Sequence, residues 1–369
     1  MKSSDSVMHS NSLNALPATR KADNLPAGRW TEVLWASLLL FVCAHFSVYY
    51  ATDHPHLFSL KDYVDGVAKV PYQYRTLIAW LMRPLLRIPV PGRLLEHIPT
   101  VHPATPYDLY FLLISFLMLA GSVIATRFSF RILTNNAVFS RWSSFLIIYM
   151  AYFNLSLAYT NNYTYPYDLS SLFFFCLGIY LVLARKLLVY YPVFVLGVFN
   201  RETICFLAFF FCISEWFHFQ ELGVSQRLKK LAPHVVAQGL LWLGIKFALF
   251  RLYAHNPMEV EQHALFLLKA PYNIAELLKP WFWPLFLSNA GFLLPVIVLG
   301  FKWIQDPRIQ WACKLLFPLW FAAMLMMGVI LEMRVFTEMI SIEALAVGLI
   351  AYNWFCSQKD PKAVVQAAR

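Results

Sequence analysis

The sequence predicts an all-α fold, a polytopic transmembrane helical bundle of about 9–11 membrane segments, with an interfacial helix in its first outer loop. Three observations carry this expectation. Hydrophobic residues make up 59% of the chain and charged residues only 14%, against about 25% charged in a soluble domain. Apolar runs long enough to cross a bilayer recur from end to end. The Lys and Arg residues fall mostly in alternate connections, as the positive-inside rule requires.

Residues 1–28 are polar and Ser/Asn-rich and lack an apolar core of the signal-peptide kind, so they read as a disordered cytoplasmic tail. Residues 29–356 then form the transmembrane domain, and 357–369 a second cytoplasmic tail. Spans are expected at 32–50, 107–126, 142–160, 168–184, 187–199 with 203–218, 234–253, 283–301, 315–331 and 336–355. The run 187–199 is only about 20 Å long as a helix. With 203–218 it reads as a tight hairpin turning at Asn200-Arg201-Glu202, with Asn200 as N-cap of the second arm.

The net charge of +10 fits topology and contact with anionic headgroups. No Lys/Arg stripe with interleaved aromatics points to nucleic acid. The six cysteines lie in or beside apolar runs at no metal-ligand spacing, which indicates neither a disulfide framework nor a zinc site.

With a cytoplasmic N-terminus, the inner connections hold Arg127, Arg131, Arg141, Arg185, Lys186, Arg227, Lys229 and Lys230. The outer ones are richer in chemistry. The first, 51–106, carries Asp53 directly after the first span, then Asp62 and Asp65 in LKDYVDG. A carboxylate at the membrane boundary can serve as a general base or hold a divalent metal, or simply be a cap or solvated acid. His54 and His56 form an i, i+2 pair in a loop, a weak metal signal. In the stretch YRTLIAWLMRPLLRI, Arg75, Arg83 and Arg87 fall within about 120° on a helical wheel, with Leu77, Trp80 and Leu81 supplying apolar surface. Arg75 follows the anchors Tyr72 and Tyr74, and suits either a phosphate or a headgroup.

The loop NNYTYPYD adds Asn161, Asn162, Tyr163, Tyr165, Tyr167 and Asp168, rings and amides of the kind that stack and bond sugars. An aromatic belt, with Asp168 as N-cap of the next span, is the structural alternative. Arg201 and Glu202 are ionisable residues in an apolar run, and EMRVFTEMISIE repeats the device with Glu332, Arg334, Glu338 and Glu343. On a helix, adjacent residues point about 100° apart, so each needs another partner. Asp168 is the expected partner of Arg201, and Arg334 that of Glu202.

Taken together, ATDHPHLF, KDYVDG, PYQYRTLIAWLMRPLL, the span start YDLSSLFFF, the RET helix start and the late EMRVF resemble the GT-C superfamily. These are multispanning glycosyltransferases that use polyprenyl-phosphate-linked sugars, and the likeness in layout covers about 45–355. One departure is plain: the usual acidic pair after the first span is missing, since His54 follows Asp53. The resemblance implies sugar transfer at the outer face of a bacterial inner membrane to a glycan, lipid or protein acceptor, with or without a divalent metal such as Mg or Mn. It makes Asp53, Asp65 or Asp62 catalytic. It gives substrate binding to Tyr74, Arg75, Asn162, Tyr167, Asp168, Arg201, Glu202, Glu332, Arg334 and Glu338. A polysaccharide polymerase or ligase, or a non-catalytic assembly or transport protein for envelope glycans, is the other reading of the same features.

The charge pattern places both termini in the cytoplasm. In a cysteine-free background, a cysteine at 162 should react with an impermeant thiol reagent from outside and one at 227 should not. Labelling of 227 from outside would defeat the topology.

Overall fold

The computed structural model describes residues 28–53, 58–98, 103–157, 163–258 and 269–359. Of the described residues 80% are helical, and none forms a strand. The expected N-terminal tail lies outside them except for Gly28, as does most of the C-terminal tail.

The first part of the chain builds α1 (Arg29–Asp53), α2 (Leu60–Asp65), a 3-10 turn at Tyr72–Tyr74, α3 (Leu77–Leu85), α4 (Gly92–Leu95) and α5 (Pro106–Thr134). Then come α6 (Ala137–Ser143), α7 (Leu146–Ala151), a π-helical turn at Tyr152–Leu157, α8 (Asp168–Leu183) and α9 (Leu187–Asn200). After a 3-10 turn at Glu202–Ile204 follow α10 (Cys205–His218), α11 (Val224–Leu252), α12 (Lys269–Leu277), α13 (Phe282–Leu287), α14 (Leu294–Leu299) and α15 (Pro307–Met327). A 3-10 segment, Met333–Met339, leads into α16 (Ile340–Lys359).

Among the described residues five helices are long and apolar enough to cross a membrane: α1, α5, α11, α15, and α16 with its 3-10 lead. The shorter α8 and α9 are equally apolar. The expected span 142–160 is instead α6 and α7 followed by the π turn, and 283–301 is interrupted between α13 and α14. At that break Ala290, Gly291 and Phe292 all have positive φ. Gly291 lies so close to Tyr149 that a Cβ would sit 2.3 Å from the ring.

Backbone groups released by such breaks need partners where water is absent. Asn154, in the π turn, supplies them: its Oδ1 accepts from the Ala290 N–H at 2.8 Å and its Nδ2 donates to Asn289 Oδ1. Asn289 Nδ2 in turn lies 3.5 Å from Glu343 Oε1. The sequence marks these breaks only faintly, with Asn154 and Ser156 at the first and Ser288, Asn289 and Gly291 at the second, inside otherwise apolar runs.

The hairpin expected at 200–202 is present, with arms α9 and α10. Asn200 does not cap α10. It closes α9, and its side chain turns back to α8, donating to Ser171 Oγ at 2.8 Å and the Tyr167 carbonyl at 3.2 Å and accepting from Ser170 Oγ at 2.6 Å. Buried polar groups in an apolar bundle take such bonds wherever a neighbouring helix offers them.

Ion pairs sort the helix ends. At one end, Glu32 of α1 meets Arg127 of α5 at 2.9 Å and Arg141 at 2.8 Å, and Arg185 meets Glu215. This end gathers the basic connections expected inside. The other end holds the close of α1, the heads of α5, α8 and α16, and the α9–α10 turn, and it carries the remaining polar chemistry.

Close packing fixes the hairpin turn. A Cβ on Gly197 of α9 would lie 2.7 Å from Ile204 Cγ1. Overpacking of this kind costs about 1–3 kcal/mol. Gly197→Val should therefore lower the melting temperature of the purified protein, and an unchanged melting curve would refute the tight approach.

Candidate functional site

The loop between α1 and α5 reaches the bundle through its own hydrogen bonds. Gln73 is wholly buried; its Oε1 accepts from the Ala68 N–H at 3.1 Å and its Nε2 donates to the Tyr63 carbonyl at 3.2 Å. Tyr63 donates its hydroxyl to the Arg75 carbonyl. From beyond α11, Asn256 Nδ2 donates to the Gly66 and Ala68 carbonyls at 2.9 and 2.8 Å, and the Val70 N–H donates to Pro257 O at 3.0 Å.

These bonds aim Arg75 inward. It precedes α3 instead of lying on the helix face that the helical wheel suggested, because the chain turns at Tyr72–Tyr74 before the helix begins. Arg83 is drawn back to the Val64 carbonyl at 2.7 Å, and Arg87 stays exposed. Tyr74 packs on Phe250, with ring centroids 5.8 Å apart.

Arg75 grips Glu202 with two nitrogens, Nε donating to Oε2 at 3.1 Å and Nη2 to Oε1. Its Nη1 donates to the Tyr167 hydroxyl oxygen at 2.5 Å, and the guanidinium lies 4.5 Å from that ring's centre. The expected Glu202–Arg334 pair therefore does not form. Glu202 takes Arg75 and, at 3.9 Å, Lys246. Burial alone would raise the Glu202 carboxyl, but Arg75 and Lys246 hold it well below the usual carboxylate range. Burial pushes the Tyr167 phenol up to about 12 against the pull of Arg75, so it stays a neutral hydroxyl.

Arg201 meets Asp168 as expected, at 3.4 Å, and also Glu338 at 3.0 Å. Its backbone is extended, φ −157° and ψ 146°. Successive side chains then point to opposite faces, which sends Arg201 inward and Glu202 outward. Side-chain exposure follows: 5% for Arg201 and 42% for Glu202.

Asp168 is wholly buried as the first residue of α8, not its N-cap, which is Tyr167. Its carboxylate accepts from the Tyr50 hydroxyl at 3.1 Å and faces Arg334 at 3.8 Å. Arg334 pairs with Glu332 and stacks on Tyr165, 3.6 Å from the ring centre. Thr203 donates to Glu338 Oε1 at 2.7 Å. Phe58, Tyr72 and Tyr165 pack together beside this group, with centroids 5.2–6.1 Å apart.

So one polar group unites Arg75, Tyr167, Asp168, Arg201, Glu202, Glu332, Arg334 and Glu338, all expected from sequence. Asp62 and Asp65 stand apart on the exposed face of α2, where Asp65 pairs with Lys61 at 2.6 Å. Asp53 closes α1, one turn beyond Tyr50; Asn162, His54 and His56 lie outside the described residues. Among the described residues no group of three or more His, Cys, Asp or Glu stands together that could hold a metal ion. Sequence reasoning missed Tyr50, Thr203 and Lys246. Only Lys246 carried a signal, a charge inside QGLLWLGIKFALF, and such residues are functional candidates by default.

No family model matches the chain, and neither a curated protein nor a solved structure does.

Since Arg201 and Glu202 serve different partners, replacing both at once does not cancel. Arg201→Met with Glu202→Leu would leave Asp168 and Glu338 short of a cation and strip Arg75 of its carboxylate. Orphaning a buried charge costs about 3–5 kcal/mol, so the double variant should be markedly less stable in detergent. A wild-type melting curve would make the two residues a self-contained pair.

Proposed function

We propose that this chain is an integral membrane glycosyltransferase, moving a sugar from a polyprenyl phosphate donor to an acceptor at the outer face of a bacterial inner membrane. The observation that carries the reading is the convergence of Arg75, Arg201 and Arg334 on Tyr165 and Tyr167, at one end of an apolar bundle. Guanidinium groups match phosphate oxygens two at a time, and aromatic faces suit the C–H faces of a sugar ring.

In the reaction, an acceptor hydroxyl loses its proton to a carboxylate of the first outer loop as its oxygen attacks C1 of the sugar. The bond from C1 to the phosphate oxygen breaks, and the polyprenyl phosphate leaves with the electron pair. Arg75 is the best placed to stabilise the growing phosphate charge, because it is 12% exposed while Arg201 is locked between two carboxylates. Arg201 and Arg334 position the site by holding α8, α9 and the Met333–Met339 segment in register. Asp53 is the favoured base, since it ends α1 at the same end of the bundle.

A non-catalytic assembly role draws on a different observation: each of the three arginines already has a carboxylate partner. Release of polyprenyl phosphate from a lipid-linked sugar by the purified protein separates the two readings.

Asp53→Asn should abolish that release while leaving the melting curve unchanged. Asp62→Asn and Asp65→Asn, on the exposed face of α2, should retain most activity. Full activity in all three single variants and in the triple variant would sink the catalytic role of this loop.

A further inference from the structure

Lys246 sits in α11 within an otherwise apolar stretch, and its ammonium is shielded from solvent. Among the described residues its Nζ has no hydrogen-bond acceptor. Glu202 Oε2 lies 3.9 Å away, beyond hydrogen-bond reach, and that carboxylate is already held by both prongs of Arg75. Two cations thus face one carboxylate. Deeper in the bundle the balance is reversed: Arg201 and Arg334 stand among Asp168, Glu332 and Glu338. An excess positive charge in a poorly solvated place calls for an anion.

The two groups also differ in access. Arg201, Asp168 and Glu338 are sealed, whereas Glu202 is 42% exposed. The wall on that side is α11, whose apolar stretch is only 11% buried and which exposes Leu240, Leu243, Phe247 and Phe250. In a membrane those residues face lipid. One turn before Lys246, Trp242 donates to the Glu202 carbonyl at 2.9 Å, so the same face of α11 that carries Lys246 is docked on the 200–204 turn.

We propose that Lys246 and Arg75 together bind the phosphate of a lipid-linked phosphate that enters from the lipid side between α11 and the 200–204 turn, and that the Glu202 carboxylate holds the place of that phosphate in the empty site. The proposal rests on the reading of the chain as a transferase using such a donor. Lys246 supplies a point charge and Arg75 the planar pair of donors. A phosphate monoester, the form in which polyprenyl phosphate leaves, carries more charge than the carboxylate it displaces, which matches the excess cation.

The test is direct titration of the purified full chain, in an uncharged detergent, with farnesyl phosphate, farnesol and inorganic phosphate. The unmodified protein should bind farnesyl phosphate more tightly than either comparison compound. Lys246→Met should weaken farnesyl phosphate binding by about tenfold, the scale of one charge-assisted bond, and leave farnesol unchanged. Lys246→Arg should keep most of the affinity. Glu202→Gln should tighten binding, because it weakens the competitor for both cations, whereas a purely structural Glu202 would leave binding unchanged or weaker.

Wild-type affinity in Lys246→Met, or unchanged or weaker binding in Glu202→Gln, would overturn the proposal. Equal binding of farnesol and farnesyl phosphate would overturn the phosphate site, and inorganic phosphate binding as tightly would overturn the lipid source. Should Lys246→Met not fold, Lys246→Gln carries the same expectation. Binding is read without turnover, so Lys246-dependent binding in a chain that transfers no sugar would overturn the transferase reading alone.

Discussion

Asp168 carries a carboxylate with no access to solvent, at the head of α8 and surrounded by apolar helices. An isolated charge there would cost several kcal/mol, so the chain brings it partners from three directions. Tyr50 arrives from the end of α1, Arg201 from the α9–α10 turn, and Arg334 from the segment that leads into α16. Each partner ties a different helix to the same point. The Tyr165 N–H adds a bond to the Tyr50 hydroxyl at 3.2 Å, and Thr164 donates to the Tyr50 carbonyl at 3.0 Å, so the loop before α8 is pinned as well. Because lipid offers no hydrophobic drive for helix association, this charged node does much to set how the helix ends meet.

From that node the polar end divides into a sealed part and an open part, and the division comes from one backbone feature. Arg201 is extended between two helical segments, so neighbouring side chains part to opposite faces. The inward side builds the ion network of Asp168 and Glu338. The outward side presents Glu202 to Arg75 and Lys246 at the edge of the bundle. Rigidity and access are thereby separated over a single peptide unit, with a sealed ion network on one side and a solvent-reachable carboxylate on the other.

The first outer loop shows the same economy. Its hydrogen bonds run through buried Gln73 and through Asn256, a residue far along the chain, and they deliver one side chain, Arg75, to the open part. The exposed acids of α2 take no share in this. Asp53, at the end of α1, lies on the route between the loop and the node.

The helical content, helices long and apolar enough to cross a membrane, the hairpin turning at 200–202 and the list of charged residues at one end were all legible in the sequence. They follow from local facts: run length, the cost of burying charge, and the alternation of basic connections. Pairing was legible only in part. Asp168 with Arg201 could be named because both are buried acids and bases at similar depth, but Glu202 went to Arg75 and Lys246 and not to Arg334, and Asn200 bonded α8 instead of capping α10. Those choices depend on which helix ends lie side by side and on an extended φ at Arg201, and neither leaves a trace in composition or periodicity. The breaks at 152–157 and 289–292 were obscured for a related reason. A few polar residues and one glycine in apolar runs do not by themselves end a helix, and the bond from the Ala290 N–H to Asn154, more than a hundred positions away, exists only in the folded chain.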